Sequence, residues 1–223
     1  MFFVSPTWQE AYPTAQVGVL ILRDSLNPSS STALDEKKHI LELRLREMYA
    51  DAEALQTSPI LKSYNTYYHS FKKTYHLRLQ LESIVNKGKP IAPATAMVES
   101  MFMAEMDNLL LTAGHDLDAI DLPLTLDVAT GTEGYTLLRG EPQQLKAGDM
   151  YIRDSRGVIS SIIYGPDQRT QINAGTVSVI FTVYAPQGIT GDLITKHMTD
   201  IQTNIMLFAP HTRTDLFEIY GRA

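Results

Sequence analysis

Five short constellations could carry chemistry in this chain. The first is a lone acid. Glu99 sits in the run Ala94 to Asn108, where Met97, Val98, Met101, Phe102, Met103 and Met106 are apolar nearly all round, as in a helix buried on most sides. Helical spacing puts Glu99 on one face with Phe102, Met103 and Met106. A carboxylate there is either a partnered structural group or a site. Desolvation would raise its pKa toward general acid/base use; a wet first-turn position would make it an acid favoured by the helix dipole. The second is His115 beside Asp116, in the small, turn-like Ala113-Gly114-His115-Asp116. A carboxylate could orient that imidazole, or the histidine could cap a turn at the edge of the core.

The third is the polar stretch Tyr164 to Gln171, between two strong strand signals. It offers the Arg169 guanidinium, the Thr170 hydroxyl and the Gln171 amide, and loops of this kind often hold sites. A plain hairpin connection is the other reading. The fourth crowds Lys62, Lys72, Lys73, Arg78, Lys87 and Lys89 around Tyr64, Tyr67, Tyr68, Phe71 and Tyr75. Cations can neutralise phosphates and exposed aromatics can stack on unpaired bases. A solvated basic face over a core of aromatics has the same composition. The fifth, Gly131-Thr132-Glu133-Gly134, reads as a turn between strands rather than a phosphate loop. The six histidines show no His-x-x-x-His pair, so no metal site is expected. No cofactor motif and no Gly-x-Ser-x-Gly elbow is present.

These residues need elements to hold them. The 223 residues suffice for one domain, 1–223, with 1–57 as a strand-helix extension or part of the same unit, and 210–223 as a loose or docking tail. Strand signals fall at Gln16–Arg23, Leu122–Val128, Gly134–Leu138, Asp149–Arg153, Val158–Tyr164 and Thr176–Tyr184. Helix signals fall at Ala33–Leu55, from Ser58-Pro59, at Leu77–Asn86 before Gly88, at Ala94–Asn108 and at Thr190–Leu207. The order predicts a mixed α+β (α/β) fold, a central sheet flanked by helices. Net charge is −6, so any nucleic-acid contact must be local. No apolar run approaches the roughly 20 residues of a membrane helix. The start lacks the pattern of a secretory signal, and the absence of cysteine suits a reducing cytoplasm.

In order, five stretches carry a family likeness: Tyr68-His69-Ser70-Phe71-Lys72-Lys73, Leu81 to Gly88, Ile91 to Asp116, Lys146 to Val158 and Gly165 to Thr176. Together they make Tyr67 to Tyr184 resemble the B-three/four domain, the editing module of the bacterial phenylalanyl-tRNA synthetase beta subunit, and most of all its free-standing members. The resemblance implies an α/β domain that binds tRNA or aminoacyl-tRNA. It also implies hydrolysis of a wrongly charged ester by a positioned water, with no metal or cofactor. A module that binds tRNA or another ligand without hydrolysis is the alternative. The pocket histidine of the synthetase falls on Ala113 here, its asparagine on Phe102 and its glutamate on Gln171, so the tyrosine-recognising set is not kept. Glu99 falls in an acidic column. By this transfer Glu99 or His115 would orient water and Arg169 would meet phosphate or carboxylate. Thr170, Gln171 and Phe102 would contact the aminoacyl group, and Lys72, Lys73 and Arg78 would meet RNA.

Overall fold

The computed structural model describes residues 2–50, 55 and 57–221. In chain order, β1 (Phe2–Val4) and α1 (Pro6–Ala11) precede β2 (Gln16–Arg23) and α2 (Thr32–Met48). Three helices follow: α3 (Pro59–Ser70), α4 (His76–Lys87) and α5 (Ala96–Asn108). The strands β3 (Leu111–Asp116), β4 (Leu124–Val128), β5 (Gly134–Thr136), β6 (Pro142–Gln144), β7 (Met150–Arg153), β8 (Val158–Ser161), β9 (Gly165–Pro166) and β10 (Val179–Ala185) come next. The chain closes with α6 (Gly191–Met206) and β11 (Arg213–Gly221).

The fold is mixed α+β, and its strands divide into two main sheets rather than one. The first, of four strands, runs β11-β2-β10-β3, all antiparallel. The second, of five, runs β1-β4-β7-β8-β9, with β1 parallel to β4. β5 and β6 form a small separate hairpin. β2 and β10 read as continuous apolar runs because both faces of the four-stranded sheet are covered. On one face lie α5 and α6. Gly18 of β2 permits that approach, since a Cβ there would stand 2.4 Å from Ile194 of α6. On the other face, Tyr184 of β10 reaches the second sheet through Ser160, hydroxyl to hydroxyl at 2.7 Å.

α3 joins the two sheets. Ser58 caps it by accepting the Leu61 N–H, and Pro59 fills its first turn. Its tyrosines point inward. Tyr64 hydroxyl donates to the Tyr184 carbonyl at 2.5 Å, Tyr67 to Asp149 at 2.7 Å and Tyr68 to the Ile162 carbonyl at 2.8 Å. Tyr75 stacks on Tyr64 with ring centres 4.3 Å apart. The aromatics beside the lysines are therefore core.

Three boundaries differ from the sequence reading. Ala113 to Asp116 is strand, not turn. It is paired with β10, which overrides the low strand propensity of Ala-Gly-His-Asp. The 210–223 tail is not loose: Arg213–Gly221 pairs antiparallel with β2, inside the 1–57 segment. The long first helix ends at Met48; its expected continuation toward Leu55 falls largely on residues outside the described set.

Candidate functional site: a pocket at the free edge of a sheet

α5 and β3 create the site. α5 follows the Pro90 and Pro93 segment, with its first N–H groups held by neighbours: Ala96 donates to the Pro28 carbonyl and Met97 to Asn27 Oδ1. It ends where Leu109 adopts a left-handed backbone, φ 59°, and donates to the Glu105 carbonyl. That turn sends the chain straight into β3, leaving a crevice between the helix and the strand.

β3 is the last strand of its sheet, so one of its edges lacks a strand partner. Thr112 donates its N–H from that edge to Glu105 Oε1 at 2.8 Å, and Asp116 donates to the Thr170 carbonyl at 2.8 Å. In an antiparallel ladder alternate residues face the same edge. The Gly114 N–H therefore points outward between those two. A Cβ on Gly114 would stand 2.9 Å from Ile172 and 3.2 Å from Met101 Sδ; glycine keeps the strand close to both walls.

The crevice is a cavity of about 330 Å³. Val98, Met101, Phe102 and Glu105 of α5 form one wall, a single helix face by their spacing. Leu111, Thr112 and Gly114 line the strand side, His76 and Gln80 come from α4, and Gly165, Pro166, Gln171 and Ile172 close the far side. The wall is mostly apolar with a few converging polar groups, as ligand pockets are.

Glu105 is the group with chemical potential. It is 3% exposed. Burial outweighs the Thr112 N–H and pushes its pKa up to about 8. It is thus protonated through most of the neutral range and becomes a base just above it.

The residues singled out in the sequence divide. Phe102 and Gln171 line the cavity. Glu99 does not; it lies about 100° around the helix from Val98 and faces α2. There it accepts from Lys38 Nζ at 2.9 Å and from the Ala94 N–H at 3.2 Å. Burial opposes the charge of Lys38, but Glu99 and Asp35 outweigh it and raise its pKa. Glu99 is therefore the partnered structural acid.

His115 faces the layer between the sheets, fully buried, and is absent from the cavity wall. Its Nδ1 lies 2.7 Å from Thr170 Oγ1, which donates to Asp167; Nδ1 must then carry the proton. Burial, with the Arg169 charge, lowers its pKa to about 3. A neutral, enclosed imidazole cannot position a solvent water. Thr170 is consumed by the same network. Arg169 is held by Asp154 at 2.9 Å, by Asp167 at 3.7 Å and by the Ala119 carbonyl at 3.0 Å, so it is not free to meet a phosphate directly.

Of the basic trio, Arg78 pairs with Glu82 at 2.9 Å. Lys72 and Lys73 are exposed in the turn after α3. Lys73 Nζ lies 5.5 Å from the Tyr164 ring, and Tyr164 precedes the Gly165 of the cavity wall. His76, three residues after Lys73, is also in that wall. The turn thus stands at the rim.

Glu105, Gly114 and His76 are what sequence reasoning missed. Glu105 had the signal that drew attention to Glu99, an acid among Met101, Phe102, Met103 and Met106. What the sequence lacked was which helix face would meet the strand. Among the described residues no group of three or more His, Cys, Asp or Glu could hold a metal ion. No described helix is long and apolar enough to cross a membrane.

No family model and no curated protein matches the sequence. Among solved structures, the chain is similar to an N-terminal fragment of the phenylalanyl-tRNA synthetase beta subunit from Pyrococcus horikoshii. The likeness is one of fold. Identity is 11%, the TM-score is 0.50, and the match covers the whole of this chain. The chain spans 54% of that fragment.

Proposed function

We propose that this protein hydrolyses the ester of mischarged aminoacyl-tRNA, acting on tRNA supplied in trans, with Glu105 as general base. The observation that carries the reading is the buried Glu105 carboxyl beside the edge of β3 that no strand covers, in a mostly apolar cavity. The fold likeness to a tRNA synthetase beta-subunit fragment points the same way, as do the exposed Lys72 and Lys73 at the rim.

The step balances without a metal. Ionised Glu105 takes a proton from water as the water oxygen attacks the ester carbonyl carbon. The Gly114 N–H receives the developing oxyanion. The carbon–oxygen bond to the ribose then breaks, and the proton from Glu105 passes to the departing ribose oxygen. Gln171 and Gln80 can hydrogen-bond the acyl or ribose polar atoms, while Phe102 and Met101 meet the acyl side chain.

Deacylation of a panel of correctly and wrongly charged aminoacyl-tRNAs is the test. Turnover of at least one mischarged species is expected. Glu105→Gln keeps the acceptor for Thr112 and should lower kcat by about 10²- to 10⁴-fold. A wild-type rate in Glu105→Gln overturns the assignment. The rate should rise with pH, pass half its maximum near 8, the pKa of Glu105, and level off about a unit higher.

A second reading has its own observation. A carboxyl still protonated at neutral pH is a hydrogen-bond donor, suited to holding a ligand without cleaving it. Binding of tRNA without turnover at any pH up to 9 would make that the function.

A further inference from the structure

A second, back cavity adjoins the first. It measures about 190 Å³ and is walled by Ile84 of α4, by Pro90, Ile91 and Ala92, and by Met106 of α5. Two residues line both cavities: Gln80 of α4 and Phe102 of α5. They stand at the boundary between the two. The back cavity is also preformed. Its floor segment is pinned where the Ile91 N–H donates to buried Glu42 Oε1 at 2.8 Å, and Pro90 stiffens the same strand of chain.

We infer that this back cavity is a subsite for the apolar end of the acyl group, and that Phe102 and Gln80 set which acyl groups enter it. The inference rests on the reading of the front cavity as the reaction site. Its chemistry follows from the walls. They are apolar save for Gln80, Ser83 and Lys89, with no acidic group among them, so a cationic side chain would lose its hydration for no partner. An apolar cavity of about 150 Å³ accommodates a benzene ring. The back cavity therefore suits one ring or a branched aliphatic group. The ester would remain in front, beside Glu105, while the side chain passes between the Phe102 ring and the Gln80 amide.

The subsite can be closed without touching the front. Ala92 lines only the back cavity and is exposed, so Ala92→Trp should fill it and leave the fold intact. Two measurements are needed. In the first, deacylation of alanyl-, leucyl- and phenylalanyl-tRNA is compared. Ala92→Trp should lower kcat/KM for the leucyl and phenylalanyl esters by about tenfold or more and leave the alanyl ester unchanged. Phe102→Ala should shift the preference toward the larger groups. An equal change for all three esters, or none, overturns the inference while leaving the hydrolase reading standing. In the second, benzyl alcohol binding is followed by saturation-transfer NMR. It should be seen in the wild-type chain and in Glu105→Gln, and be lost in Ala92→Trp. If no ester is cleaved but that pattern holds, the subsite stands and the hydrolase reading falls. If benzyl alcohol does not bind the wild-type chain, or binds Ala92→Trp equally, the subsite is overturned.

Discussion

At the scale of single residues, Glu99 and Glu105 show how far a sequence can specify a site. Both are acids in one apolar helix, six positions apart. Facing is decided by partners far away in the chain: Lys38 takes Glu99, and the edge of β3 takes Glu105. Composition announces an unusual carboxylate, but not which one keeps an open cavity beside it. The two acids should separate cleanly by mutation. Lys38→Met leaves Glu99 buried without its ion pair and should cost about 3 kcal/mol in a denaturant melt. The Glu105-dependent rise of the deacylation rate with pH should be unaltered in that variant. A stability loss below about 0.5 kcal/mol would show that Glu99 is adequately satisfied by the Ala94 N–H alone.

At the scale of elements, the five longer helices were legible, while the short α1, begun by Ser5-Pro6, and the sheet edges were not. Ser58-Pro59 announced α3, and Gly88 announced the end of α4, where it adopts φ 62°. These are local signals, written in capping residues. β3 and β11 carry no such mark. β3 is strand because β10 lies beside it, and β11 because β2 does. The turn after α3 is intermediate. Lys72 there has φ 57°, a left-handed backbone that glycine adopts at no steric cost. Lys72→Gly should therefore leave Tm unchanged or raise it slightly. The same substitution removes one rim cation, so tRNA affinity should fall and the slope of log K against log salt should shrink by about one. Unchanged affinity across 50–200 mM salt, a range over which phosphate contacts are strongly felt, would remove Lys72 from the RNA-facing set.

At the scale of the whole molecule, buried titratable groups set opposing limits on stability. Glu105 keeps its proton in the fold up to about pH 8 but loses it in the unfolded chain near 4.5. The fold holds the extra proton between those values, so stability falls as pH rises through them. Asp149, raised by burial to about 6 from 3.8, acts in the same sense over its narrower window. His115 and His197 act oppositely. Burial keeps both neutral in the fold down to about pH 3, while the unfolded chain protonates them below 6.5. Stability should then be greatest between about pH 4.5 and 6.5, where the two trends offset, and should decline on either side. Each group contributes up to about 1.4 kcal/mol per pH unit. Urea melts across pH 3 to 9 would trace the curve, and Glu105→Gln should flatten the fall between 6.5 and 8. A fall that persists in that variant would mean the group responsible lies elsewhere. The mixed α+β composition at this scale was plain from the order of signals. The division into two sheets was not, because pairings such as β1 with β4 join residues that periodicity treats independently.

The Tyr64 hydroxyl has a mechanical meaning as well. It takes the Leu111 N–H and gives its proton to the Tyr184 carbonyl, sitting where a direct rung between β3 and β10 would be. A helix has been threaded into the ladder at the end where the cavity begins. α3 also carries the Lys72–Lys73 turn at its far end. A polyanion drawing on that turn would thus tug, through one phenol, on the strand that presents Gly114. Tyr64→Phe would cut the linkage, and amide exchange at Leu111 would report the slack.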